Sequence, residues 1–165
     1  MKAKVPIIPM EDFMRNPEKS SFQISPNGNY VAFMKPWKTR MNVYVKDMRT
    51  NKEKRLTGSE KRGIYGFTWL TDNRIGYVKD DGGNENMHFY AVNIDGTNEV
   101  DLTPFENVQA RIIDDLEDDE DHLIIGLNKR NPEIHDPYRV NINDGTMEII
   151  AENPGNISGW GTDHN

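Results

Sequence analysis

Tyrosine and aliphatic residues recur along this chain at an almost constant interval. Tyr44, Tyr90 and Tyr138 are separated by 46 and 48 residues. A second set of landmarks with the same 46- and 48-residue separations consists of Leu56, Leu102 and Ile150. Two independent landmarks with one period indicate an array of structural units, each of which must bury its apolar faces against its neighbours.

Each unit has the pattern strand, turn, strand, loop, strand, turn, strand. Residues 22–33 (FQISPNGNYVAF) predict two strands around a tight turn, because Pro26 presets φ and Asn27-Gly28 tolerate positive φ. The pattern returns from Gly66 and again from Ala110. Four short strands in roughly 46 residues is the size of a β-propeller blade. A β-sandwich of twelve unrelated strands would also show alternation, but it does not require equally spaced landmarks.

The chain is therefore predicted to be all-β, a partial β-propeller of about three four-stranded antiparallel blades plus the start of a fourth. The predicted division is an N-terminal extension with a short helix allowed (1–20), blade 1 (21–60), blade 2 (61–107), blade 3 (108–152) and the start of a truncated blade 4 (153–165). A closed ring of seven such units would need roughly 320 residues. An open arc leaves two apolar faces uncovered, which predicts self-association through them.

Composition excludes several classes of partner. The net charge of −7, the pI near 5.1 and the scattered basic residues disfavour nucleic acid and an anionic membrane. No run approaches the ~20 apolar residues of a membrane span, and the N-terminus lacks the apolar region of a signal peptide. The chain has no cysteine, so disulfides play no part. The compartment stays open: cytoplasmic, or periplasmic if a signal peptide was removed.

An ordered set of segments resembles the N-terminal propeller of the prolyl oligopeptidase family of serine peptidases, nearest its acylaminoacyl-peptidase and dipeptidyl-peptidase-like branches. The segments are 25–33 (SPNGNYVAF), 42–45 (NVYV), 55–57 (RLT), 77–86 (YVKDDGGNEN) and 101–104 (DLTP). The resemblance extends over residues 6–160. Propellers of the TolB type share the Ser-Pro-Asn-Gly element, so that element alone is less specific than the ordered set.

In the resembled family the propeller caps a C-terminal α/β-hydrolase domain, which carries the catalytic Ser, Asp and His. This chain has no Gly-x-Ser-x-Gly motif, because Asn156 stands where the first glycine before Ser158 should be. By itself it is predicted to be non-catalytic, the gating part of a serine peptidase whose partners are the hydrolase domain and peptide substrates. The alternative is a TolB-like interaction module without a hydrolase. A polysaccharide lyase or glycosidase propeller ranks last, since no paired catalytic carboxylates can be placed.

The segment 80–88 (DDGGNENMH) concentrates carboxylates and amides in a glycine-bearing loop. The resemblance implies that acidic loop residues help to bind the free amino end of a substrate, which makes Glu85, Asp81 and Asn84 the candidate substrate-binding residues. The competing interpretation is a solvated connection whose side chains bond their own backbone. The spacing departs from that of an EF-hand loop.

Other polar groups are predicted to be structural. Residues 114–121 hold seven acidic residues in eight positions, which suits an exposed turn or, alternatively, a cation or basic partner. The four histidines, 88, 122, 135 and 164, lack metal-ligand spacing, so no metal or cofactor is predicted. The basic residues Arg62 and Arg130 are interpreted as loop charges that brace acidic neighbours. The landmark tyrosines and Phe33, Tyr77, Trp69 and Trp160 are predicted to be core.

Overall fold

A computed structural model describes residues 7–15, 17–116 and 118–163. One short helix, α1 (Met10–Met14), precedes the strands and buries none of its residues. The twelve strands are β1 (Ser20–Ile24), β2 (Tyr30–Trp37), β3 (Arg40–Asp47), β4 (Glu53–Arg55), β5 (Gly66–Thr71), β6 (Arg74–Lys79), β7 (His88–Asn93), β8 (Val100–Asp101), β9 (Ala110–Asp114), β10 (His122–Asn131), β11 (Ile134–Asn141) and β12 (Met147–Ile149). Nowhere in these ranges is a helix long and apolar enough to cross a bilayer.

The strands form three separate antiparallel sheets, each a meander of four consecutive strands. We call them blade 1 (β1–β4), blade 2 (β5–β8) and blade 3 (β9–β12). This is the partial β-propeller that the period predicted. The exact domain boundaries drawn from the sequence remain a prediction.

The landmark residues occupy equivalent positions in the three blades. Each tyrosine lies on the third strand of its blade opposite a residue of the fourth strand, in the pairs Tyr44–Arg55, Tyr90–Asp101 and Tyr138–Ile149. Each aliphatic landmark donates its backbone N–H to a carbonyl of the third strand, in the bonds Leu56 to Val43 (2.8 Å), Leu102 to Phe89 (2.8 Å) and Ile150 to Pro137 (2.9 Å). The sequence period is therefore the period of the blades.

Two apolar cores lie between adjacent blades. The core between blades 1 and 2 is formed by Ala32, Met34, Val43, Val45, Ile64, Phe67, Trp69, Ile75, Tyr77 and Val92. The core between blades 2 and 3 is formed by Phe89, Ala91, Leu102, Val108, Ala110, Leu123, Ile125, Leu127, Val140 and Ile142. Successive residues of β7 contribute to opposite cores, because side chains alternate across a strand. The middle blade is thus covered on both faces, unlike a sheet in a two-layer sandwich.

The last blade shows what a missing neighbour does to a landmark position. Leu102 is fully buried because blade 3 packs over it, whereas the equivalent Ile150 is 52% exposed. At the other end of the arc, Phe22 and Ile24 on β1 are 61% and 69% exposed. Phe22 nevertheless stacks on Phe33, at 5.6 Å between ring centroids, and Phe33 is buried.

The segment after β12 packs against blade 3 without forming a strand in its described part. In blades 1 and 2 the carbonyls of Met41 and Met87 accept the backbone N–H of Ile64 and Ala110, at 2.9 and 2.7 Å, where the next blade begins. The equivalent carbonyl of His135 accepts the indole N–H of Trp160 at 2.8 Å. Trp160 is half-buried, and the start of a fourth blade at residues 153–165 stays a prediction.

Two buried threonines at equivalent positions accept hydrogen bonds from the third strands of blades 1 and 2. Thr57 and Thr103 are 2% and 1% exposed, and their hydroxyl oxygens accept the backbone N–H groups of Val43 and Phe89, each at 2.9 Å. The sequence analysis did not single them out, because a threonine in Arg-Leu-Thr or Asp-Leu-Thr reads equally well as a turn residue.

Replacing Thr103 with valine is expected to lower the free energy of unfolding by about 1–3 kcal/mol, because the buried Phe89 N–H loses its acceptor. Chemical denaturation followed by circular dichroism measures the change. The exposed Thr50→Val is the matched control and should stay within about 0.5 kcal/mol of wild type. Equal effects of the two substitutions would contradict the assignment.

Candidate functional site

The candidate loop joins β6 to β7 and contains three residues with positive φ. Gly82 and Gly83 have φ of 67° and 98°, and Glu85 has φ of 61°, which is uncommon for a residue with a side chain. The φ of Gly83 favours glycine at that position, and a Cβ there would also lie 3.1 Å from the guanidinium of Arg62, which would have to shift slightly. The loop is therefore a defined, compact turn.

Asp80 anchors this loop from inside. Its carboxylate is fully buried and accepts hydrogen bonds from the Tyr65 hydroxyl at 3.5 Å and the Glu85 backbone N–H at 3.3 Å. It also forms an ion pair with Arg62, with 3.6 Å between Oδ2 and Nη2. Its Oδ1 atom has no hydrogen-bond partner within residues 7–15, 17–116 and 118–163. Asp80 therefore sets the path of the chain on which Glu85 is carried. Arg62 braces it, as the sequence analysis predicted.

The structure places all three candidate residues on the surface of this one loop. Asp81, Asn84 and Glu85 are exposed. The Asn84 N–H donates to the Asp81 carbonyl at 3.4 Å, and Gln109 donates its side-chain amide to the Glu85 carbonyl at 3.1 Å. Within the described ranges neither carboxylate forms an ion pair, so both are available to a cationic group. Their role as binding residues remains a prediction.

A cluster of tyrosines and carboxylates lies behind the loop on blade 2. Tyr77 and Tyr90 stack at 5.2 Å between centroids, and Tyr77 donates its hydroxyl to Glu99. The Nδ1 of His88 lies 2.7 Å from Asp101. Burial and then the neighbouring carboxylates raise the pKa of both tyrosines, so they stay protonated near neutral pH. The carboxylates of Glu99 and Asp101 give this region negative charge.

The acidic segment 114–121 is more ordered than an exposed turn. Asp114 is buried and receives the Thr162 hydroxyl. Asp119 pairs with Arg139 and lies 3.1 Å from His122, and the bond from Arg139 lowers the pKa of Asp119 to about 2. Glu117 lies outside the described residues. The interpretation as a freely solvated turn is thus incomplete, because Asp114 and Asp119 make side-chain contacts with Thr162 and Arg139.

The histidines lie apart in the fold. His88 and His122 each pair with one aspartate, and burial lowers the pKa of His135. His164 lies outside the described residues. Over the described ranges no group of three or more His, Asp or Glu side chains is arranged to hold a metal ion.

Sequence reasoning does not identify the burial of Asp80, Arg74 and Asp136. Asp80 precedes Asp81 in the candidate loop, whereas Arg74 lies at the other end of β6 and Asp136 on β11. Adjacent carboxylates look alike in a sequence. Only the approach of Tyr65 and Arg62 shows which of them is buried.

Comparison with curated proteins identifies two relatives. The chain is 28% identical over 156 residues to dipeptidyl aminopeptidase BIII of Pseudoxanthomonas mexicana, covering 93% of this chain and 23% of that protein. It is 25% identical over 158 residues to dipeptidyl peptidase family member 6 of Caenorhabditis elegans, covering 90% of this chain and 21% of that protein. The chain thus spans less than a quarter of either relative. No protein-family model matches it.

Solved structures share the fold at low sequence identity. The β-propeller domain of the trilobed protease from Pyrococcus furiosus aligns with a TM-score of 0.58 and 19% identity, over 82% of this chain and 43% of that one. Acylaminoacyl peptidase of Pyrococcus horikoshii aligns with a TM-score of 0.55 and 18% identity, over 82% and 25%. A TolB from Agrobacterium tumefaciens gives 0.56 and 16%, over 82% and 50%.

Fold and comparisons define the class of protein as a partial β-propeller of the kind found in peptidases and in TolB. Within that class the chain is a homologue of dipeptidyl aminopeptidase and dipeptidyl peptidase family members, in agreement with the resemblance to the prolyl oligopeptidase family.

Proposed function

We propose that this chain is the non-catalytic propeller portion of a serine peptidase resembling the prolyl oligopeptidase family. In this role it gates and orients peptide substrates for a C-terminal α/β-hydrolase domain. The observation that carries the proposal is the alignment of nearly the whole chain with less than a quarter of two dipeptidyl peptidase relatives. The absence of a nucleophile motif in the sequence supports the non-catalytic role.

The loop at residues 80–87 supplies the chemistry for orientation. A peptide with a free amino end carries an ammonium group, and exposed carboxylates attract it most strongly where a neighbouring wall excludes water. Asp80 and the glycines hold the loop in one conformation, so Glu85 is presented from a fixed backbone. Asp81 adds a second negative charge, and Asn84 a hydrogen-bonding amide.

In the full-length protein, Glu85→Gln is expected to raise KM about tenfold for peptides with a free amino end, with kcat little changed. The reason is the loss of one charge-assisted hydrogen bond in binding. Steady-state kinetics with chromogenic dipeptidyl substrates measures it. N-acylated substrates should be unaffected, and Glu148→Gln on the outer strand of blade 3 is the control. A fall in kcat with KM unchanged would oppose this role.

The 165-residue chain alone should not hydrolyse chromogenic aminoacyl or acyl-peptide substrates. Turnover that disappears when a residue of this chain is replaced, for example in Ser158→Ala, would overturn the non-catalytic assignment.

The structural match to TolB favours a second candidate, a propeller that binds partner proteins and has no hydrolase domain. The reading frame after codon 165 separates the two candidates. The peptidase hypothesis requires that the downstream sequence encode further blades and a Gly-x-Ser-x-Gly motif. An early stop codon would favour the TolB-like interaction module.

We also propose that the isolated chain self-associates, since Phe22, Ile24 and Ile150 are exposed at the two ends of the arc. A monomeric mass at micromolar concentration by light scattering would exclude this.

A further inference from the structure

Arg74 is a buried cation without a counter-ion in the described part of the chain. It begins β6 and is 5% exposed. Its Nε donates to the Ile142 carbonyl of blade 3 at 2.9 Å, and its Nη1 donates to Asn93 Oδ1 at 2.6 Å and to the Asn98 carbonyl at 3.2 Å. The Nη2 atom is buried and has no hydrogen-bond partner among the residues that the structure describes. No carboxylate within the described residues forms an ion pair with Arg74.

Such an arrangement is costly unless something compensates the charge. Burial lowers the pKa of Arg74, but a guanidinium remains protonated in proteins. A buried charge is normally paired, and an unmade hydrogen bond to a charged group adds to the cost. The remaining donor of Arg74 therefore points to an anionic group that completes the site.

Arg74 lines a cavity of about 620 Å³ between blades 2 and 3. This is within the usual range of small-molecule sites. Because β6 runs from Arg74 to Lys79, the cavity lies at the opposite end of the strand from the loop at residues 80–87. It is a separate site from the candidate loop.

Four of the other residues that line the cavity are acidic. Asp72, Asp95, Glu120 and Asp121 line it together with Arg74. One oxygen of Asp72 accepts the Asn27 N–H at 2.8 Å and one of Asp121 accepts the Asn143 amide at 3.4 Å. In the described ranges Glu120 forms no ion pair. The four carboxylates outnumber the single guanidinium and repel a simple anion, whereas a ligand with both charges can place its ammonium group on the carboxylates and its carboxylate on Arg74.

We propose that this cavity binds a small zwitterion, with the carboxylate on Arg74 and the ammonium group on Glu120 and Asp121. A free amino acid or a dipeptide has this chemistry. The inference does not depend on the proposed peptidase role, since it concerns binding to this chain alone at a different place.

Nuclear magnetic resonance of the ¹⁵N-labelled 165-residue chain tests the proposal directly. The Arg74 Nε–H is buried and hydrogen-bonded, so its side-chain signal is expected to be observable. Titration with glycylglycine should shift this signal to saturation. Acetate and methylammonium, which each carry one of the two charges, should bind at least about tenfold more weakly, the factor expected from losing one charged hydrogen bond.

Glu120→Gln should weaken glycylglycine binding about tenfold and leave acetate binding equal or stronger. It lies at the surface and does not disturb Arg74, so it remains informative if an Arg74 variant fails to fold. Glu133→Gln, on a different loop, is the control and should bind as wild type does. Absence of any shift, equal binding of acetate and glycylglycine, or an unaffected Glu120→Gln would each overturn the proposal and leave Arg74 as a structural residue.

Discussion

Replacing Asp136 with alanine should lower the free energy of unfolding by about 3 kcal/mol, the usual cost of breaking a buried ion pair from one side. The Asp136 side chain is fully buried and accepts two hydrogen bonds from Arg130, both at 3.0 Å. It also accepts the Asn153 backbone N–H at 2.7 Å. In the variant, water can solvate the Arg130 guanidinium, which is 40% exposed, but the buried Asn153 N–H is left without an acceptor.

The effect should depend on pH in a defined direction. The bonds from Arg130 hold the pKa of Asp136 below its ordinary value of 3.8. Because folding lowers this pKa, the stabilisation is complete above the unfolded-state value and is lost as pH falls through the folded-state value. The difference between wild type and Asp136→Ala should therefore be constant near neutral pH and shrink below about pH 4.

Urea denaturation at several pH values measures this difference. The control is Glu60→Ala, which removes one partner of the exposed Lys38–Glu60 pair, and it should cost less than about 1 kcal/mol. A loss for Asp136→Ala no larger than that of the control would show that the pair is not structural. The same outcome would also show that the hydrogen bond from the Asn153 N–H to Asp136 does little to hold the segment after β12 against blade 3.

Gly76→Ala should destabilise the chain by about 3 kcal/mol, the upper end of the usual cost of overpacking. Gly76 lies on β6 between Thr68 and Ala91. An added Cβ would lie 2.3 Å from the Cζ of Phe89 and 3.2 Å from the Leu70 Cδ1. Phe89 is 1% exposed in the core between blades 2 and 3, so its ring has no space into which to move.

A second substitution tests the cause. Combining Gly76→Ala with Phe89→Leu removes the clashing ring, so the pair should be less destabilised than the sum of the two single variants by about 1 kcal/mol or more. Gly126→Ala is the matched control. Its nearest neighbour is the end of the Ile113 side chain at 3.3 Å, which can move, and the cost should stay below about 1 kcal/mol. Additive effects in the double variant would rule out the Phe89 contact as the cause.

Much of the fold could be predicted because blade stacking imposes a repeat on the sequence. Tyr44 and Tyr90 are equivalent in the structure because each third strand must face the adjacent blade in the same way. The structure corrected the prediction where a local pattern was ambiguous. Residues 114–121 have the composition of a solvated turn, yet Asp114 and Asp119 make structural contacts with Thr162 and Arg139, which come much later in the chain.

The sequence by itself determined the architecture of this protein, since four strands recur at a period of 46 to 48 residues and hydrophobic alternation specifies their faces. It also located the acidic glycine-bearing loop with Glu85. Only the tertiary structure decided which charged groups are buried, because the burial of Asp80 depends on Arg62 and Tyr65 and that of Arg74 on a carbonyl 68 residues away. A hydrophobic period is a property of each strand, whereas a buried charge is created when separate strands meet.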